Sequence, residues 1–299
     1  MSDFSGVHAV LFALFDASEK LDRAAMRAEA AYVRAAGADG ITVLGLATEV
    51  GKLTFAERCQ LVDWAGEDAG GLPLSVTIAG NSVAEQLALI RHAEAAGAAW
   101  LILQPPLVGT YPAAEYIAFF ARVGQQTRLP FAIQNAPQYL GRSLSDDDIG
   151  LLRERCANFA LVKAETSAVD LAGLVNRVAG TIRVLNGRGG LEMTDCLRAG
   201  CAGFIVAPDV LPGVVACHRA WLAGDDALAE EEYARFLPAA LFSMQSLEHL
   251  VCYGKRIFGL RSGLAIHDRA PAATPSAFGL AAVRRWSALP AAARSGDFT

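Results

Sequence analysis

The sequence predicts an α/β chain folded as a (β/α)8 TIM barrel with a C-terminal helical extension. Three observations carry that prediction. Short apolar runs and amphipathic stretches alternate eight times at nearly even spacing. The apolar runs are continuous, as expected of parallel strands buried on both faces. The helix ends share a pattern: Ala-Ala-Gly-Ala at 35–38 and 95–98, with Arg-Ala-Gly-Cys-Ala at 198–202 as a variant, each Gly closing a helix before the next strand.

In chain order, a strand is expected over 7–16 and an amphipathic helix over 22–37, closed by Gly37. A strand follows at 40–45, then a helix from Thr54 to about Ala69, where Glu57 stands three residues after the cap and completes a capping box. The strand at 73–79 leads to a helix capped by Ser82 and ending at Gly97, with Glu85 in its first turn. Next come a strand at 100–104, a helix at 112–126 and a strand at 130–136. Ser145 caps a helix running to Cys156, with acidic residues in its first turn, where they complement the helix dipole. The last three units are 159–165 and 168–179, 183–186 and 191–199, and 203–207 and 212–222. After Ala223 the pattern is helical throughout, at 225–237, 238–258 and 276–287. The division is therefore a barrel at 1–223 and a helical appendage at 224–299.

With 299 residues and 53% hydrophobic content, the chain can bury a large core. Its net charge of −5 and the lack of a basic block argue against nucleic-acid or membrane-surface partners. The N-terminal apolar run at 7–15, broken by His8, is too short to span a bilayer and has no basic stretch before it. Six cysteines form no CxxC pair and no Cys/His cluster, which suits small buried hydrophobes in a reducing, cytoplasmic setting. None of the five histidines falls at a strand C-terminal end, and no motif asks for a metal or a cofactor.

In barrels of this kind the chemistry sits at the C-terminal ends of the strands. Those positions are Asp16, the turn at 45–49, Asn81, Gln104, Gln134 and Asn135, Lys163 and Glu165, the loop at 186–190 with Arg188, and Asp209. The chain has only four lysines: Lys20, Lys52, Lys163 and Lys255. Three lie in polar or helical surroundings, where a solvated ammonium is expected. Lys163 alone interrupts an apolar run, Phe-Ala-Leu-Val-Lys-Ala-Glu at 159–165. A buried ammonium is costly unless paired or deprotonated, and a desolvated lysine attacks carbonyl carbon. The plainer alternative is a strand-end lysine reaching out to solvent. The turn at 45–49 either binds a carboxylate through its backbone or is a tight turn in which Glu49 pairs with Lys52.

These residues resemble the dihydrodipicolinate synthase / N-acetylneuraminate lyase superfamily of pyruvate-dependent class I aldolases, over nearly the whole chain. The family turn Gly-[Ser/Thr]-Thr-Gly-Glu reads here Gly45-Leu46-Ala47-Thr48-Glu49, and the family motif Tyr-Asn-x-Pro reads Gln134-Asn135-Ala136-Pro137. The Schiff-base lysine falls on Lys163. The loop at 187–190 brings Gly187 and Arg188 to the rim as expected substrate contacts, Glu49 and Glu165 are the candidate bases there, and the resemblance implies catalytic positions at Lys163 and Gln134 and substrate contacts at Ala47, Thr48, Asn135 and Val206. It also implies a homo-oligomer, tetramer or dimer, acting on a small 2-oxo acid. There are departures. Gln134 replaces the proton-relaying tyrosine, Leu46 and Ala47 replace the hydroxyl residues that hold the pyruvate carboxylate, and Tyr139 replaces the arginine for the second substrate of the synthase. The expected function is a class I lyase that performs aldol cleavage, condensation or dehydration on a pyruvate-type or 2-keto-3-deoxy sugar acid. The alternative is a family member with impaired turnover that binds 2-oxo acids or regulates.

Overall fold

A computed structural model describes residues 4–288. Eight parallel strands close into a barrel in sequence order: β1 (Gly6–Val10), β2 (Gly40–Val43), β3 (Leu74–Ile78), β4 (Trp100–Leu103), β5 (Phe131–Asn135), β6 (Phe159–Ala164), β7 (Arg183–Asn186) and β8 (Gly203–Val206). Nearly every strand residue is buried, which is why the sequence runs are continuously apolar. The rings of Phe131 and Phe159 stack at 5.3 Å across the register Phe131↔Phe159 and tie β5 to β6.

The intervening helices are α1 (Arg23–Ala35), α2 (Phe55–Asp68), α3 (Val83–Ala95), α4 (Ala113–Gly124), α5 (Pro137–Leu140), α6 (Asp146–Arg155), α7 (Ala168–Val178), α8 (Met193–Arg198) and α9 (Leu211–Leu222). Their starts follow the expected chemistry. Thr54 and Glu57 form a reciprocal capping box on α2, and Ser145 with Asp148 does the same on α6. The four-residue α5 is an addition to the sequence reading; Pro137 starts it and Gly141, in a left-handed conformation, ends it.

Two expectations change. The first strand ends at Val10, not at residue 16, although residues 11–15 stay buried. Side chains satisfy that segment where a sheet would have. The Phe12 N–H donates to Glu29 at 2.8 Å, the Leu11 carbonyl accepts from Thr48 at 2.6 Å, and the Ala13 carbonyl accepts from Lys255 at 2.8 Å. An apolar run reads alike in a strand and in a buried irregular segment, so sequence alone overextends it.

The second change concerns the appendage. Pro238 does not break the chain there; α10 runs unbroken over Asp226–Ser243 with Pro238 inside it. Packing of Phe236, Ala239 and Ala240 compensates for the lost hydrogen bond. The break comes later. Ser246 caps a short α11 (Leu247–His249), a π-helical turn spans Leu250–Gly254, and α12 (Lys255–Ser262) and α13 (Ala277–Ser287) follow. Phe236, Leu250 and Phe258 of this segment join the same apolar core as the strands. Residues 289–299 of the expected appendage lie outside the described residues. Among the described residues no helix is long and apolar enough to cross a membrane.

Candidate active site at the C-terminal mouth of the barrel

Strand register brings Lys163 beside Gln134 on one side and Leu185 on the other. Lys163 is 4% exposed, and its Nζ stands 2.9 Å from Oε1 of Glu165, which is equally buried. The same oxygen accepts from the Gln134 amide, and the Gln134 carbonyl accepts from Gln104 Nε2 at 2.7 Å. Gln86 donates to the Gln104 backbone carbonyl at 2.9 Å. Because Glu165 can only accept when ionised, Gln134 must present its NH2 to it, and this orients Gln104 in turn. The result is a buried chain, Gln104–Gln134–Glu165–Lys163, that positions groups by hydrogen bonds but whose amides do not ionise near neutral pH.

Lys163, Glu165 and Asp209 line a half-enclosed cavity with about 30 Å3 of free volume. Val10, Ala47 and Ala207 form its barrel wall; Met244, Leu247 and Leu250 of the appendage close it from outside. Gly187 is required by close approach. A Cβ there would lie 2.7 Å from Lys163 Cε and 2.9 Å from Glu165 Cγ. Beside the cavity, the Arg188 guanidinium pairs with Glu192 at 2.9 Å, and its Nε is buried without a partner. The Tyr139 hydroxyl meets Arg188. Burial first, then Glu165, push the Tyr139 phenol up, and Arg188 partly offsets them.

The remaining predicted positions fall elsewhere. Thr48 is buried with its hydroxyl committed to the Leu11 carbonyl, while Leu46 and Ala47 line the cavity. The Asn135 side chain donates to the Leu144 carbonyl and accepts from the Leu144 N–H, which pins the loop after β5. On β8 the cavity is lined by Ile205 and Ala207, not Val206, because alternate residues face alternate sides. Glu49 does not meet Lys163. It sits in a left-handed turn between two 3-10 segments, with one oxygen 2.5 Å from Lys52 and the other bonded to Lys255.

Lys255 corrects a sequence expectation. It is not a solvated helix lysine but is fully buried, bonded to Glu49 and the Ala13 carbonyl and lying 5.2 Å from the Phe15 ring centroid. Burial pulls its ammonium below the usual lysine range, against the opposing pull of Glu49. Nothing local signals this, since its partners are 206 and 242 residues away.

The chain matches the Dihydrodipicolinate synthetase family over residues 3–273. It is similar to the 4-hydroxy-tetrahydrodipicolinate synthase of Methanococcoides burtonii, at 25% identity over 92% of this chain and 94% of that one. It is also similar to the L-2-keto-3-deoxyarabonate dehydratase of Azospirillum brasilense, at 28% identity over 78% of this chain and 77% of that one. Among solved structures, a prophage protein of the dihydrodipicolinic acid synthase family from Escherichia coli K12, crystallised in complex with pyruvate, superposes with a TM-score of 0.88. The two share 23% identity over 97% of this chain and 100% of that one.

Proposed function

The chain belongs to the dihydrodipicolinate synthetase family, whose members here are carbon–carbon or carbon–oxygen lyases, and we propose that it is a Schiff-base lyase of 2-oxo acids with Lys163 as the imine-forming amine. The observation that carries this reading is a buried lysine facing a cavity with a carboxylate at 2.9 Å.

Lys163 gives up a proton, with Glu165 the nearest base, and the neutral amine attacks the keto carbon. Loss of water leaves a protonated imine, an electron sink for the adjacent C3. Glu165 then moves the proton at C3, held in place by the Gln134 amide. Glu49, committed to two lysines, has no part in this step. Arg188, whose Nε is free and whose fork suits a carboxylate, holds an acidic group of the substrate. Met244, a flexible side chain at the outer wall, gives way to substrates longer than pyruvate. Such an acid is the better substrate, because Gln134 and Tyr139 stand where the synthase needs a relay tyrosine and an arginine. The dehydratase among the relatives points to sugar-derived acids of the 2-keto-3-deoxy type. The cytoplasm and a homo-oligomer are the expected setting.

The test is incubation with a panel of 2-oxo acids, borohydride reduction and peptide mapping. The adduct is expected on Lys163. An adduct on Lys52 or Lys255, or none with any 2-oxo acid, overturns the assignment, and the latter leaves a non-catalytic family member. Robust condensation of pyruvate with aspartate semialdehyde would refute the substrate reading.

A further inference from the structure

The cavity that holds Lys163 and a second, much larger pocket share two side chains. Leu46 and Leu247 line both. On their inner side lies about 30 Å3 of free volume beside Lys163 and Glu165; on their outer side lies an open pocket of about 630 Å3. Leucines are ordinary filling for a barrel rim, but a filler has packed protein on its far side. These two are half-buried and have space on both sides.

The backbone holds both in place. Leu46 opens the 3-10 turn Leu46–Thr48, and its carbonyl accepts from the Glu49 N–H at 3.0 Å. The Thr48 hydroxyl ties that turn to the Leu11 carbonyl, and Glu49 ties it to Lys52 and Lys255. Leu247 is the first residue of α11, whose Ser246 cap accepts from the His249 N–H at 3.1 Å. The walls of the outer pocket are joined as well. Lys52 donates to the Arg269 carbonyl at 3.0 Å, and the Cys252 thiol to the Ala273 carbonyl at 3.5 Å. The lining there is mainly apolar, with Val50, Val251, Pro271, Ala272 and Ala273. Of its charged members, Glu49 and Lys52 pair with each other and Asp268 pairs with Arg256.

We propose that Leu46 and Leu247 are specificity-determining residues: they form a fixed partition that ends the substrate site and excludes 2-oxo acids with alkyl or aryl tails from the apolar space behind it. This rests on the Schiff-base reading and deepens it. A substrate chain extending from the imine has two ways to run. Toward the loop after β7 it meets Met244, which lies against Gly189 and whose flexible side chain can move aside. Toward the turn after β2 it meets the two leucines on held backbone. A hydroxylated tail has little to gain beyond them, because the charges there are already paired. An alkyl tail would gain about four-fold in binding for each methylene taken out of water, were the partition open. The leucines therefore act by exclusion, against the class of acid that the outer pocket would otherwise favour.

The experiment compares the unmutated chain with Leu247→Ala and Leu46→Ala. It measures borohydride trapping, by intact mass, of pyruvate, 2-oxobutanoate, 2-oxohexanoate, 2-oxooctanoate and phenylpyruvate below saturation. Each rate is divided by that of pyruvate on the same protein, so the folded amount cancels. In the unmutated chain the ratio should fall about 10-fold or more between 2-oxobutanoate and 2-oxooctanoate. Each variant should raise the 2-oxooctanoate ratio by about 10-fold or more, and phenylpyruvate should follow. A hydroxylated 2-oxo acid of similar length should gain less than about two-fold. An unmutated chain that traps 2-oxooctanoate as fast as pyruvate would overturn the proposal, and that arm needs no variant to fold. So would ratios that move by less than about three-fold in both variants. An equal gain for the hydroxylated acid would also overturn it, because a loosened site and not an opened apolar pocket would then be responsible. An unmutated chain that traps no 2-oxo acid fails the Schiff-base reading and this inference with it. Trapping of pyruvate on Lys163 with unmoved ratios fails this inference alone.

Discussion

Lys163 and Lys255 are both buried, and each is bonded to a buried glutamate. They differ in what stands on the far side of the ammonium. Lys255 is sealed. Glu49, the Ala13 carbonyl and the faces of Phe12 and Phe15 enclose it, and Glu29 lies behind. Lys163 has Glu165 on one side and a cavity on the other. Burial alone therefore does not mark a reactive lysine. A sealed pair fixes structure, because its ammonium is enclosed by groups of the protein itself; an open pair keeps a place for a carbonyl carbon.

The largest effect that tests this contrast comes from exchanging each lysine for methionine. Lys163→Met should abolish the reducible adduct and all turnover while lowering the melting temperature by only a few degrees, since its partner keeps the Gln134 amide. Lys255→Met should leave trapping intact in the folded fraction. It should cost about 3 kcal/mol, the low end for breaking a buried pair, because Glu49 retains Lys52. For a chain of this size that is on the order of 6–10 °C in melting temperature. A Lys255→Met protein of unchanged stability that no longer traps pyruvate would reverse the two assignments.

A pH titration sharpens the sealed side. Burial raises the Glu29 carboxyl to about 8, with the Phe12 N–H and Lys255 opposing. Folded Glu29 thus binds a proton that the unfolded chain has released above pH ~4.5. Stability from this group is complete below that pH and falls as pH rises to about 8. The slope is at most about 1.4 kcal/mol per pH unit. Glu29→Gln should flatten the decline in denaturant-melt stability between about pH 5 and 8; an unchanged slope would place the proton elsewhere.

The smallest effect is at the edge of the open side. Arg188→Ala should weaken substrate binding by tens-fold, about 2 kcal/mol for a charged hydrogen bond, with nearly unchanged melting. Its ion-pair partner Glu192 is 43% exposed and keeps water in its absence. A large melting shift with unchanged binding would make Arg188 structural.

The open side was largely legible in the sequence, and the sealed side was not. Lys163 interrupts an apolar strand, and Glu165, Gln104, Gln134 and Asp209 all stand at strand ends, where the barrel's geometry decides their direction. Thr48 and Val206 were read in the wrong sense because a resemblance fixes positions, whereas the local turn and the strand alternation fix which way a side chain faces. Lys255 sits between Gly254 and Arg256, in a stretch that reads as an ordinary surface helix. Its burial arises only when the segment after β1, the turn at 45–49 and α1 converge on it. Pro238 misled for a similar reason, since packing around α10 overrides a strong local breaker.

The bond from Lys255 to the Ala13 carbonyl spans 242 residues. Synthesis runs from the N-terminus, so all eight strands leave the ribosome before the residue that neutralises Glu49 from within has been added. Until then the segment after β1 carries a buried carbonyl without that donor, and Glu49 has Lys52 alone. The barrel can close early, but the turn that forms one wall of its mouth is locked only after the segment that carries Lys255 has emerged.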